Sequence, residues 1–162
     1  MARTLVIGFG NLDRGDDGAA FHIVNRLRQG LGICLLEEGD TGMGTLGGET
    51  DTIFVRQLLP ELVVEASAYD RLVLVDAHVA AERRDIVCAR LEPEERPSAI
   101  GHILPPSTFL WLARHFTRKP IEAHTVSVRG RSFEMAGGLS EATAALIPAA
   151  ADAVRALLHP PA

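Results

Sequence analysis

Only two cysteines occur in the 162 residues, Cys34 and Cys88, each within an apolar run that reads as a strand. That excludes a disulfide framework and suggests buried, inert thiols. No apolar stretch is long enough to cross a bilayer, and the run after the N-terminus breaks at Gly8, too short for a secretory leader, so a cytoplasmic, non-membrane protein is expected. Lys and Arg are scattered and the net charge is −5, which leaves no basic face for nucleic acid. No serine stands in a nucleophile elbow and no HExxH pair exists, so the usual esterase and peptidase signatures are missing. Repeats and low-complexity tracts are absent too; the alanines between 142 and 156 fit helix propensity.

What is present is one domain's length, 1–162, with 47% apolar residues, enough for a continuous core. Strand-length apolar runs alternate with helical periods. This predicts an α/β fold, a three-layer αβα sandwich around a mostly parallel, twisted sheet of about five strands. The expected strands are Thr4–Phe9, Ile33–Glu38, Leu72–Val75, Asp85–Leu91 at an edge, and Thr125–Val128. Ala20, Ile23, Val24 and Leu27 mark an amphipathic helix from Asp17 to Arg28, with His22 on its solvated side. A kinked or divided helix is expected over 53–68 around Pro60, another after a Ser107 cap, and a long terminal helix capped by Ser140 and bent at Pro148.

The strongest local signal is Gly8-Phe9-Gly10-Asn11 followed by Gly15-Asp16-Asp17-Gly18. A dinucleotide-binding turn needs a third glycine at the helix start, whereas two acids here repel a phosphate from the helix N-terminus. The same acids suit either a cation site or plain capping of the helix. The second strand is expected to run into a loop with five glycines between Gly39 and Gly48. In an open α/β sheet ligands gather beyond the carboxyl ends of the strands. Chain direction then collects Asp17, the Glu38–Thr41 loop and Asp76 at one edge, with His102 reaching over from its loop. Two carboxylates and an imidazole form a mixed oxygen and nitrogen set suited to a borderline divalent ion. His78 is a rival, pointing to the same side as Asp76 along an extended strand. His124 is expected to donate a local hydrogen bond.

In order along the chain, the Gly8–Asn11 and Gly15–Gly18 motif, Val75-Asp76-Ala77 and Gly101-His102 resemble the NiFe-hydrogenase maturation endopeptidases. Gly39-Asp40-Thr41-Gly42 is similar to that family's glycine-rich loop, and Gly138-Leu139-Ser140 with Pro148 to its terminal-helix region. The resemblance implies a cytoplasmic endopeptidase that removes the C-terminal extension of a NiFe-hydrogenase large-subunit precursor after nickel insertion; the sequence shows no dimer stripe, so a monomer is expected. Asp17, Asp76 and His102 would be its catalytic and metal-contacting residues. Asp16 would stand behind them or cap a helix, and Gly39, Asp40, Thr41 and Gly42 would receive the substrate tail. Nickel would arrive with the substrate, and zinc or cadmium would substitute in vitro. A nickel-checking chaperone without catalysis is the alternative reading.

The chain departs from the family pattern at four places. Glu38 stands where Asp is usual, Ala20 replaces a common glycine, the segment from 47 to 60 is longer, and Arg129–Phe133 replaces a proline-containing stretch. They leave the three ligand positions intact and put the identity of the partner in question.

Overall fold

The computed structural model describes residues 2–95 and 103–160. The β-branched and leucine runs become strands β1 (Thr4–Phe9), β2 (Thr50–Val55), β3 (Arg71–His78), β4 (Ile86–Arg90) and β5 (Glu122–Arg129). They form one sheet in the order β2-β1-β3-β5-β4, parallel except for the antiparallel edge strand β4. Helices α1 (Ala19–Gly30) and α5 (Ile147–Leu158) cover one face; α2 (Leu62–Ala66) and α3 (Pro106–Thr117) cover the other. A short α4 (Glu141–Ala144) precedes α5. The expected three-layer αβα sandwich is therefore present.

Strand alternation explains the two cores. Val6, Val73, Val75, Val126 and Val128 turn toward α1 and α5, while Leu5, Ile7, Leu72, Leu74 and Ala123 turn toward α2 and α3. On the same parity, Asp76, His78 and Ser127 belong to the α2/α3 face, past the end of its apolar cover.

The second strand departs from the sequence reading. Residues 33–37 are not a strand, although their apolar character suits one. The Asn25 side chain donates to the Leu36 carbonyl at 2.9 Å and accepts the Leu36 amide at 2.8 Å, so a residue of α1 takes the place of a strand partner. The buried Arg28 guanidinium donates to the Cys34 carbonyl and to both the carbonyl and hydroxyl of Thr52 on β2. The sheet position is filled by Thr50–Val55, and the helix expected from 53 shrinks to α2. Both cysteines are exposed rather than buried, Cys34 because it lies in this non-strand segment and Cys88 because β4 is a solvent-facing edge.

Three helix ends also differ from expectation. Gly18, without a side-chain bond, precedes α1, so neither Asp16 nor Asp17 caps it. Pro105 rather than Ser107 precedes α3, since Pro106 presets the first helical turn. Ser140 does cap, accepting the Thr143 amide, but it caps the separate α4; Pro148 lies in the first turn of α5 instead of bending one long helix.

Candidate active site

The carboxyl ends of β1 and β3 lie side by side, with Gly8 paired to Val75. Beyond β1 the chain makes a loop and a one-turn 3-10 helix, Gly15–Gly18, that carries both acids. Gly10 is required here: its φ is 151°, and a Cβ on it would run into the carbonyl oxygen of Asp17. The Asn11 amide donates to Asp17 Oδ2 at 2.8 Å, holding that carboxylate at the turn's mouth.

Asp76 projects from the end of β3. Its partial burial pushes its carboxyl up to about 6; the Ser127 hydroxyl opposes that shift, the negative charge of Asp17 adds to it, and Arg83 opposes it. Asp17 and Asp76 are thus electrostatically joined, as chain direction predicts. A carboxylate whose proton affinity is raised by a neighbouring negative charge gains from a nearby cation, and paired carboxylate oxygens are donors that suit a divalent ion. The third expected ligand, His102, lies outside the described residues. Among the described residues no three His, Cys, Asp or Glu side chains gather as a metal-binding group.

His78 is already engaged at both ring nitrogens. Nδ1 lies 2.6 Å from Ser127 Oγ and Nε2 lies 3.1 Å from the Arg84 carbonyl, which only accepts, so Nε2 carries a proton. Burial lowers the imidazole's proton affinity, which favours the neutral ring with Nδ1 as acceptor. Ser127, directly across from Asp76 in the β3–β5 register, therefore offers one hydroxyl proton to two neighbours. Sequence reading missed Ser127; its only signal is a hydroxyl between two buried valines. His124 departs from expectation as well, because its buried Nδ1 has no hydrogen-bond partner among the described residues and lies 3.8 Å from Glu122.

Asp16 points the other way and is fully buried. Its Oδ2 accepts the amides of Arg131 (2.7 Å) and Ser132 (2.9 Å) and the hydroxyls of Ser140 (2.8 Å) and Thr143 (2.9 Å), while Oδ1 accepts the Ser140 amide (2.7 Å). Burial alone would raise its pKa, but the amides of Arg131, Ser132 and Ser140 and the Ser140 hydroxyl outweigh that and hold it at about 2.

The glycine-rich loop precedes β2 rather than following the second strand, because that strand is Thr50–Val55. It still reaches the same edge: the Phe54 amide donates to the Thr41 carbonyl at 3.0 Å near the end of β2. Gly39 and Gly42 take positive φ of 96° and 80°. The loop and residues 10–13 bound a cleft of about 500 Å³, lined by Asn11, Asp13, Glu38, Gly39, Asp40 and Thr41 and closed below by Phe54–Arg56. The amides of Gly39, Thr41 and Gly42 have no hydrogen-bond partner among the described residues. Asp17 itself lines an open depression of about 600 Å³, together with Arg14, His78, Val79, Arg83 and Phe133.

No protein-family model matches the sequence, and no curated protein does. Solved structures do match over nearly the whole chain. The hydrogenase maturating endopeptidase HybD from Escherichia coli aligns with a TM-score of 0.69 at 24% identity, covering 96% of this chain and 91% of its own. The NiFe hydrogenase maturation protease HycI from Thermococcus kodakarensis aligns at 0.66 and 18%, covering 97% and 92%. A hydrogenase 2 maturation peptidase from a Thaumarchaeota archaeon aligns at 0.61 and 20%, covering 96% and 97%. At these identities the likeness establishes the fold: over nearly its whole length, this chain shares the α/β fold of solved hydrogenase maturation endopeptidases.

Proposed function

We propose that the chain is a maturation endopeptidase that removes the C-terminal extension of a NiFe-hydrogenase large-subunit precursor once that precursor carries nickel. The observation that carries this reading is the electrostatic pairing of Asp17 and Asp76 beside a cleft with unpartnered loop amides. Its shared fold with proteins named as such endopeptidases and the order of the sequence motifs point the same way.

In this reading the nickel belongs to the substrate, and its Lewis acidity, toward the scissile carbonyl or a water, is the chemistry it brings. Asp17 and Asp76 supply anionic oxygens to it, with His102 as the third contact. The Asn11 amide keeps Asp17 oriented, and the partial burial of Asp76 concentrates its charge where little water competes. The Gly39–Gly42 loop receives the substrate tail through the free backbone amides of Gly39, Thr41 and Gly42, the mode in which an extended peptide adds to main-chain donors; Asp40 lies between them, but its amide is already given to the Glu37 carbonyl at 3.0 Å. Zinc and cadmium are expected to occupy the same oxygen and nitrogen set in vitro.

Incubation with nickel-loaded and nickel-free precursor, followed by intact mass, tests the reading. Loss of a C-terminal peptide from the nickel-loaded form alone is the expected result. Cleavage of both forms removes the gating, and binding without cleavage assigns the chain instead to a nickel-checking role.

A further inference from the structure

We propose that Asp16 is a positioning residue that aims the Asp17 carboxylate by locking the rotation of the Gly15–Gly18 turn against the segment from Arg129 to Thr143. The inference rests on Asp17 and Asp76 as the ion-holding pair and deepens it.

A 3-10 turn has three residues per revolution, so adjacent side chains leave it about 120° apart. Fixing the direction of one side chain on so short a turn therefore fixes the other. Asp16 is fixed from the buried side by five donors, three of them backbone amides, at 2.7 to 2.9 Å. Its own amide donates to the Ser132 carbonyl at 2.8 Å, which ties backbone to backbone at the same point. Gly15 makes that approach possible: its φ is 50°, and a Cβ there would come within 2.5 Å of the Ser132 oxygen. On another side of the turn Asp17 meets the Asn11 amide. The two adjacent acids are thus held from different sides of the turn.

The donors constrain the residue type. A carboxylate accepts at both oxygens, whereas an amide of the same shape presents an NH2 group to at least one of the converging N–H donors. Ser140 is also the cap of α4, and the Thr143 hydroxyl has one proton to share between Asp16 and the Arg129 carbonyl. A change in segment 129–143 is transmitted to Asp17 without touching substrate.

The test compares the native protein with Asp16→Asn and with the double variant Ser140→Ala/Thr143→Ala, which removes two hydroxyl bonds and keeps the three amides. Zinc alone is the probe, with binding followed by calorimetry; partners that orient metal ligands typically change affinity about 10- to 100-fold. Zinc is expected to bind Asp16→Asn about tenfold or more weakly, and precursor cleavage to lose kcat at unchanged KM. The through-hydrogen-bond NMR coupling between the Asn11 amide nitrogen and the Asp17 carboxyl carbon is expected to weaken or vanish. A folded Asp16→Asn protein with native zinc affinity and an intact coupling overturns the proposal. If that variant does not fold, the double variant is judged by the same two readouts, with a smaller loss expected. If the native protein itself binds no zinc, the ion-holding reading fails, and the Asn11–Asp17 coupling alone decides whether Asp16 aims Asp17.

Discussion

Asp16 and Asp76 are neighbours at one edge of the sheet, yet their surroundings drive them in opposite directions. Asp16 is fully buried and held at about 2 because burial is outweighed by the amides and hydroxyl directed at it. Asp76 is only partly buried and is pushed up to about 6, because burial and the charge of Asp17 outweigh one contested hydroxyl and the Arg83 charge. Burial alone therefore does not decide whether a carboxylate is structural or available. The number of donors aimed at it decides. Asp16 has its bonding capacity filled by its own chain, while Asp76 receives only the Ser127 hydroxyl, shared with His78.

The contrast is broken most severely at Asp76. Asp76→Asn is expected to lower precursor cleavage at least about 100-fold, since the isosteric amide cannot supply an anionic ligand oxygen. The same variant is expected to remain folded and to unfold at a slightly higher temperature at pH 7 when metal-free. The sign follows from linkage: a carboxyl whose folded pKa lies above its unfolded value binds more protons folded, so its contribution worsens as pH rises from about 4 through about 6. Normal processing by this variant would remove Asp76 from the site.

At Asp16 the expected loss is of stability instead. Asp16→Ala leaves three amides and the Ser140 hydroxyl without their acceptor, while the Thr143 hydroxyl keeps the Arg129 carbonyl, and a decrease of roughly 3 to 4 kcal/mol in urea unfolding is expected. A decrease below about 1 kcal/mol would mean that water replaces the carboxylate and that the cluster is not a structural lock.

Acid titration sharpens the comparison further. With its pKa held at about 2 against an ordinary value of 3.8, Asp16 contributes on the order of 2 kcal/mol, fully present above about pH 4 and lost as pH falls through about 2. Asp76 acts oppositely over the range above it. The difference in stability between native protein and Asp16→Asn is therefore expected to shrink below pH 4, whereas that between native and Asp76→Asn shrinks below pH 6. The smallest effect concerns Ser127: Ser127→Ala removes the one hydroxyl that favours the Asp76 anion, and the Asp76 carboxyl resonance should titrate at a still higher pH.

Much of the architecture was legible because pattern and period agree. The first strand, α1, β3 and the edge strand β4 follow from apolar runs, helical spacing and alternation. The second strand was not legible, since Ile33–Leu36 and Ile53–Val55 are equally apolar. Side chains of α1 choose between them, Asn25 by pairing with Leu36 and Arg28 by holding Cys34 and Thr52. That Asp17 and Asp76 come close together was predictable from chain direction alone. The role of Asp16 was hidden, because its donors lie 115 to 127 residues further along the chain. Ser127 stayed hidden for a similar reason: only the β3–β5 register places it opposite Asp76.

The central claim is that Asp17 and Asp76 hold one divalent cation between them. A crystal structure with cadmium soaked in, read by anomalous scattering, tests it most directly. The account expects a single ion with carboxylate oxygens of both residues in its coordination sphere, lost on Asp76→Asn. An ion bound elsewhere, or one that persists in that variant, would contradict it.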